Sequence, residues 1–232
     1  METFQAVAAL ESGDFEAFVG VTEGGHLDFK GAPYNLASDA GKFELAKDVA
    51  AFANSGVDAL IVIGIEAKIE EDSPFERARR VRAVPVRSVD AKRYRDTIRE
   101  RCYPTIQKVE VNLYPAPDDD SRCLLAIRIP PQPDSNRPFL VLSNLSPDGE
   151  KVQGWLVGLP TRTLDVTEHL RPDQLHETFV RGQSVSVRLD EIVGLLAHLP
   201  TPAPEVAPAG QASEVASAPV HVAPGGPTAQ KR

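Results

Sequence analysis

The apolar positions of the first 66 residues follow a helical period in some segments and a strand period in others. Residues 4–10 carry apolar side chains at helical spacing and predict a short helix. Residues 26–30 alternate as a strand does, with the apolar residues on one side and Asp28 and Lys30 on the other. The two charged side chains are therefore expected to point the same way, so that one site can use both.

A second helix and a buried strand follow. Residues 42–54 carry an apolar stripe at three- and four-residue steps, and Asn54-Ser55-Gly56 marks the end of a helix. Asn54 could contact a ligand near Lys30, but capping of the helix is the better interpretation. Residues 59–65 are almost continuously apolar and β-branched, which is typical of a strand that is covered on both faces.

The rest of the chain to residue 199 predicts a mixture of strands and helices. Pro85 limits residues 81–86 to an edge strand, because proline cannot donate to the ladder. Residues 89–102 predict a helix that Pro104 ends. Further strands are predicted at 109–113, 123–129, 139–142 and 155–157, the first two around a loop at 115–122, and helices at 171–179 and 189–199.

Together these elements predict one α+β or α/β domain over residues 1–199. We expect a mixed, mostly antiparallel sheet with flanking helices. Residues 201–232 contain no Leu, Ile or Phe and are rich in Pro, Ala, Gly and Ser. A segment of this composition cannot bury enough apolar surface to offset its ordering entropy, so 200–232 are predicted to be a disordered tail.

Composition excludes several classes of function. No apolar run reaches the ~18 residues that span a bilayer, so no membrane association is expected. The start of the chain lacks the basic region of a secretory signal, and Cys102 and Cys123 are too few for a disulfide scaffold, so a cytoplasmic location is predicted. Neither zinc-type Cys/His spacing nor a P-loop occurs. Homo-oligomerisation is compatible with this composition.

Basic residues are concentrated in residues 76–101. This segment contains ten basic residues against four acidic ones, a net charge of +6, whereas the whole chain carries −8 and the remainder therefore −14. A face of this kind can track a phosphate backbone. The alternative, a solvated face whose arginines pair with acids elsewhere, is equally supported. The candidate nucleic-acid-binding residues are Arg77, Arg79, Arg80, Lys92, Arg95 and Arg99.

Acids and a lysine around the first two strands form the candidate catalytic site. If Glu23, Asp28 and Glu66 converge beside Lys30, they make an oxygen-rich pocket that suits Mg²⁺ or Mn²⁺. A metal there could activate water against a phosphodiester, and the lysine could stabilise the developing charge. The alternative is that Asp28 and Lys30 lie on a solvated sheet face and that Glu66 is an ordinary loop acid.

Three short segments of the chain resemble a known family. Glu23 with Asp28-Phe29-Lys30, then Lys47 with Ala51-Phe52-Ala53-Asn54-Ser55, and then Gly64-Ile65-Glu66 are similar to the Schlafen-type AlbA-like domain. The resemblance covers about two thirds of the chain and implies the fold of that domain. Some members of the family are RNA-cleaving nucleases with three carboxylates.

Carried over residue by residue, Glu23 and Asp28 match the first two acids of the family, and Glu66 is the candidate for the third. Glu66 follows Gly64 one place earlier than in many members, and a one-place shift along a strand reverses the side chain unless a bulge corrects it. Leu156 stands where the family often has arginine.

Three functional hypotheses follow from these residues. The first is nucleic-acid binding through the basic segment, with metal-dependent cleavage of RNA or DNA by Glu23, Asp28 and Glu66 assisted by Lys30. The second is a non-catalytic nucleic-acid- or nucleotide-binding regulatory module. The third is an interaction protein that recruits partners through its tail.

Overall fold

The computed structural model describes residues 1–70, 75–145, 151–163 and 166–169 and has an α+β fold with mixed, mostly antiparallel sheets. Its α-helices are α1 (Thr3–Ser12), α2 (Asp39–Ser55) and α3 (Ala91–Arg101). Its strands are β1 (Leu27–Lys30), β2 (Ala59–Ile63), β3 (Ile65–Ile69), β4 (Glu76–Val81), β5 (Val84–Pro85), β6 (Cys102–Tyr103), β7 (Glu110–Ala116), β8 (Asp119–Ile129), β9 (Leu140–Leu145), β10 (Lys151–Gly158), β11 (Pro160–Thr163) and β12 (Val166–His169).

The central sheet is built around the long strand β8. Strand β7 pairs with one edge of β8, while β2 and the short β5 pair with the other edge, all antiparallel. Strand β1 adds to β2 in parallel, with Asp28 opposite Ile61 and Lys30 opposite Ile63. Three smaller pieces surround this sheet: the hairpin β3–β4, the sheet β10–β9–β6 and the hairpin β11–β12.

The two faces of the central sheet are covered by different elements. One core contains Ile61 and Ile63 of β2 together with residues of α2 and α3. The other core contains Leu60 and Val62 of β2 together with α1, residues 15–18 and the hairpin β3–β4. Strand β2 is therefore buried on both faces, as its continuous apolar sequence predicts.

Gly64 lets the chain leave the central sheet and enter the hairpin β3–β4. Its φ is +106°, and an added Cβ would lie 2.6 Å from Cδ2 of Leu124. Its N–H donates to the carbonyl of Lys30 at 2.7 Å, and its carbonyl accepts from the N–H of Arg82 at 2.6 Å. Only glycine fits both the backbone angle and the space, so Gly64 fixes the hairpin next to the end of β1.

The helices predicted at 4–10, 42–54 and 89–102 are confirmed as α1, α2 and α3. Helix α2 begins three residues earlier than predicted because the Ser38 hydroxyl caps it, accepting from the N–H of Gly41. The strands at the predicted positions in 26–30, 59–65, 109–113 and 123–129 are also present. Cys102 and Cys123 are buried free thiols.

The structure corrects the sequence analysis at one strand and at one loop. Strand β4 was not predicted. In its pairing with β3, Glu66 lies opposite Arg80 and Ala67 lies opposite Ala78, so Arg79 is an extra residue. This bulge interrupts the alternation of exposed and buried positions along β4. The loop predicted at 115–122 is wrong: Ala116 pairs with Asp119, so the loop is a two-residue turn. Residues 119–122 are exposed on both sides and carry no apolar alternation.

The helices predicted at 171–179 and 189–199 and the tail at 200–232 lie outside the described residues. Of the helices that are described, none combines the length and apolar character that crossing a bilayer requires.

Candidate functional site

Asp28 and Lys30 point to the same side of β1, as predicted, and there they meet Asp48 of helix α2. The Nζ of Lys30 lies 2.7 Å from Oδ2 of Asp28 and 3.7 Å from Oδ2 of Asp48. Both aspartates are buried, and the hydroxyl of Tyr34 donates to Oδ2 of Asp48 at 2.7 Å. The cluster therefore joins the sheet to α2, and Lys30 supplies the opposite charge that both buried aspartates need.

Arg162 of β11 supplies the second cation of the cluster. Its Nη2 donates to Oδ1 of Asp28 at 2.9 Å and lies 3.9 Å from Oε2 of Glu23. The guanidinium also lies over the ring of Phe52, 4.8 Å from its centroid, and the arginine side chain is only 3% exposed. A planar, permanently charged group suits a buried position of this kind, because it can bond a carboxylate and stack on a ring at once.

Glu23 precedes β1 and is buried beside Asp28. Its Oε1 accepts from the N–H of Phe29 at 2.8 Å. Burial, with the negative charge of Asp28 adding to it, raises the pKa of Glu23 to about 8. Glu23 therefore holds a proton at neutral pH, and the cluster carries one negative charge fewer than its residue types imply.

The remaining groups respond to burial and to one another. Burial alone would lower the pKa of Lys30, but Asp28 and Asp48 outweigh it, so the pKa is raised. Burial raises the pKa of Asp48 although Lys30 opposes the change. Burial, with Asp48 adding to it, holds the pKa of Tyr34 well above its ordinary value. Lys30 therefore stays charged, and Tyr34 remains a hydrogen-bond donor.

Glu66 does not join these groups. Its carboxylate accepts two hydrogen bonds from Arg80, at 2.9 and 2.6 Å, and lies 3.7 Å from Lys68 and from Arg82. The hydrogen bonds from Arg80 hold the pKa of Glu66 below its ordinary value. The bulge of the hairpin lies in β4, opposite Glu66, and does not turn the glutamate toward Asp28.

The cluster does not fit a metal ion as the sequence predicted it. Each oxygen of Asp28 already faces a cation of the chain, Lys30 on one side and Arg162 on the other. Within the ranges that the structure describes, no three His, Cys, Asp or Glu side chains are grouped so that they could hold a metal. The positive charge that Mg²⁺ or Mn²⁺ would supply is provided by side chains.

Half of the predicted nucleic-acid-binding residues lie on strand β4. Because Arg79 is the extra residue of the bulge, Ala78 is buried while both Arg79 and Arg80 are exposed. Arg77 lies 3.1 Å and Arg79 3.9 Å from Glu70. The hairpin therefore presents a row of cations with acids interspersed.

The other half lie on helix α3. Lys92 lies 2.5 Å and Arg99 3.8 Å from Asp96, and Nη1 of Arg95 donates to the carbonyl of Val111. Helix α3 packs in the core on one face of the central sheet, and β4 packs in the core on the other. The six residues therefore do not form one continuous basic face.

Asp48, Arg162 and Tyr34 were not predicted as site residues. The only local signal for Asp48 is its position between Lys47 and the apolar Val49, and none marks Arg162. Asn54 neither caps α2 nor points to the cluster: its amide nitrogen donates to the carbonyls of Phe139 and Pro160, and its Oδ1 accepts from the N–H of Phe139. Asn54 thereby fixes the start of β11, the strand that carries Arg162.

Comparison with known proteins assigns no family. Neither a protein-family model nor a curated protein matches the chain. A crystal structure of the DIP2311 protein from Corynebacterium diphtheriae is similar to it at 18% sequence identity, with a TM-score of 0.42. The match covers 72% of this chain and 26% of the other, so the chain spans about a quarter of that protein.

Proposed function

We propose that this chain is a nucleic-acid-binding protein that contacts the phosphate backbone of RNA or DNA with the hairpin β3–β4. One observation carries the proposal: the bulge at Arg79 puts two consecutive arginines on the outside of the strand. The side chains of Arg79 and Arg80 are 55% and 63% exposed. A strand without the bulge would turn one of them toward the core.

The acids of the hairpin do not prevent such binding. Exposed ion pairs are weak, so a phosphate can replace Glu70 as the partner of Arg77 or Arg79 with little loss of stability. Arginine matches phosphate geometry in a bidentate way and releases counterions from the backbone. The overall charge of −8 favours contact through this local surface over coating of the nucleic acid by the whole protein.

We propose further that the module is non-catalytic. Glu66 is engaged by Arg80, and Asp28 by Lys30 and Arg162, so these acids act as counter-ions within the fold. The relationship to the Schlafen-type AlbA-like domain is also a proposal, supported by the convergence of Glu23, Asp28 and Lys30. The cytoplasmic location, homo-oligomerisation and the disordered tail stay predictions.

The binding proposal is tested by fluorescence anisotropy with labelled single-stranded RNA and DNA at several salt concentrations. The double variant Arg79→Glu/Arg80→Glu should weaken binding at least about tenfold and reduce the salt slope, because two phosphate contacts are lost. The matched control is Arg95→Glu/Arg99→Glu, the same charge change on α3 across the sheet. The control should change affinity by less than about threefold.

Two results would contradict the proposal. Equal losses in the two double variants would mean that only the net charge matters. A loss confined to the α3 variant would move the interface to Lys92, Arg95 and Arg99 on the opposite face.

A further inference from the structure

A groove of about 480 Å³ lies at the base of the hairpin β3–β4. Residues 31–33 and 83–85 line it, and Glu66, Arg82 and Arg122 supply the charges. The volume falls within the range of about 300 to 1,000 Å³ that is usual for small-molecule sites. Gly31 directly follows Lys30, so the groove lies at the end of β1.

Two arginines give this groove a preference for anions. Arg82 leads out of the hairpin, its side chain is 65% exposed, and its only ion pair among the described residues is with Glu66 at 3.7 Å. Arg122 lies on β8 opposite Pro85, is exposed, and forms no ion pair with any other residue that the structure describes. With Glu66 already bonded to Arg80, the groove has an excess of available positive charge.

Apart from Glu66, Arg82 and Arg122, the groove lining is apolar and carries no hydrogen-bonding side chain. Ala32, Pro33, Ala83 and Pro85 line the groove together with the buried Val84. Proline rings and small side chains offer flat surfaces, and the plane of an arginine can stack on an aromatic base. A ligand that fits has an anionic end and a flat, uncharged body.

We propose that this groove binds a nucleoside monophosphate unit, with the phosphate between Arg82 and Arg122 and the base between the apolar walls. The choice of ligand rests on the proposed nucleic-acid-binding function. The unit can come from a free nucleotide or from one residue of a single strand whose backbone continues along the arginines of the hairpin.

Isothermal titration calorimetry on the full chain tests the groove, with 5′-AMP as the probe. Adenosine, ribose 5-phosphate and inorganic phosphate each lack part of the ligand and should bind at least about tenfold more weakly than AMP. A single-stranded oligonucleotide of about ten residues is the second probe. If the oligonucleotide displaces AMP, the ligand is a nucleotide of a strand; if both bind together, it is a free nucleotide.

Arg82→Gln and Arg122→Gln remove one groove cation each and should weaken AMP binding at least about tenfold. Arg79→Gln is the matched control, because it removes one exposed arginine of the same hairpin that does not line the groove. It should leave AMP binding within about twofold of the unmodified chain. Circular dichroism of each variant checks that the fold is retained.

Three results would overturn the inference: no saturable binding of AMP, a loss in Arg79→Gln equal to that in Arg122→Gln, or equal affinity for AMP and inorganic phosphate. The last would leave an anion site without a base subsite. Failure of the proposed function is read separately, from oligonucleotide affinity in the Arg79→Glu/Arg80→Glu variant. If the chain binds the oligonucleotide but not AMP, the proposed function stands and the proposal of nucleotide binding in the groove is wrong.

Discussion

Arg162 donates to Asp28 through Nη2 and Oδ1 at 2.9 Å, a contact that joins β11 to β1 across 134 positions of sequence. Both side chains are almost fully buried, with 3% and 2% of their surface exposed. A buried pair of this kind is held in place by its neighbours, here Phe52 under the guanidinium and Lys30 on the second carboxylate oxygen. The contact therefore makes the position of β11 depend on a charge at the edge of the central sheet.

Replacing Arg162 by methionine should lower the free energy of unfolding by about 3 to 5 kcal/mol, because Asp28 stays buried and loses one of its two cations. Urea denaturation followed by circular dichroism measures the change. The matched control is Arg99→Met on α3, whose exposed ion pair with Asp96 should change the free energy of unfolding little.

A double-mutant cycle separates the pair from the packing around it. In Asp28→Asn the charge that Arg162 compensates is absent, so Arg162→Met should be less damaging in that background by about 1 to 3 kcal/mol. Additive losses would show that Arg162 stabilises β11 through contacts other than the one with Asp28.

Glu23→Gln should change how stability depends on pH. The pKa of Glu23 is about 8 in the folded chain and near 4.5 in the unfolded one. Between these values the folded state binds more protons, so the contribution of Glu23 to the free energy of unfolding falls as pH rises and levels off above about 8. Glutamine keeps the acceptor for the N–H of Phe29 and does not titrate.

Stability relative to the unmodified chain should therefore rise in Glu23→Gln by about 2 to 4 kcal/mol from pH 4.5 to about 8. Urea titrations at several pH values measure the difference. The exposed Glu44→Gln serves as the control for loss of a carboxylate. Parallel curves for Glu23→Gln and the unmodified chain would mean that Glu23 is ionised in the folded state.

The shared direction of Asp28 and Lys30 was predictable, because strand alternation is a local rule that four residues are enough to apply. The burial of Asp48 was not. Its helix was read as having one apolar stripe, but α2 packs against the sheet on one side and against β9 and β11 on another. Asp48 is buried against Lys30 of β1 and the hydroxyl of Tyr34, partners that the period of one helix does not reveal.

The position of Glu66 was also not predictable from its own strand. The prediction that it faces Asp28 depended on the geometry of β3, whereas its actual partners are set by strand β4, which was not predicted. Because Arg79 is an extra residue, β4 lacks the alternation that identifies a strand. The sequence therefore shows that this segment is basic but not that it pairs with β3. The basic segment was likewise read as one face, although the central sheet separates its two halves.

Gly64→Ala should be among the most damaging single-methyl additions in the described part of the chain. The backbone angle of +106° disfavours any side chain, and the new methyl group would lie 2.6 Å from Leu124. Strain and overpacking together should lower the free energy of unfolding by about 2 to 4 kcal/mol. Thermal and urea unfolding measure the loss.

Gly20→Ala isolates the backbone contribution. Gly20 also has a positive φ, of +85°, but an added Cβ meets nothing within 4 Å. This variant should lose only about 1 kcal/mol. Equal losses at the two positions would mean that Leu124 moves aside without penalty and that the clash does not fix the hairpin.

Incubation with single-stranded RNA, tRNA or DNA should give no cleavage, whether Mg²⁺, Mn²⁺ or a chelator is present. The reason is that Asp28 is neutralised by Lys30 and Arg162 while Glu66 is held by Arg80, so these two acids offer no free oxygen atoms to the ion. Denaturing gel electrophoresis of labelled substrates is the measurement. The Asp28→Asn and Glu66→Gln variants should be indistinguishable from the unmodified chain.

Cleavage that needs Mn²⁺ and disappears in Asp28→Asn would restore the nuclease hypothesis, and the third acid could then be identified. Loss of cleavage in Asp48→Asn but not in Glu66→Gln would assign that position to the aspartate of α2, which lies 3.7 Å from the Lys30 ammonium. Loss in Glu66→Gln alone would require the hairpin to release Glu66 from Arg80 when substrate binds. Cleavage that survives Asp28→Asn would not come from this cluster, because Asp28 links both of its cations.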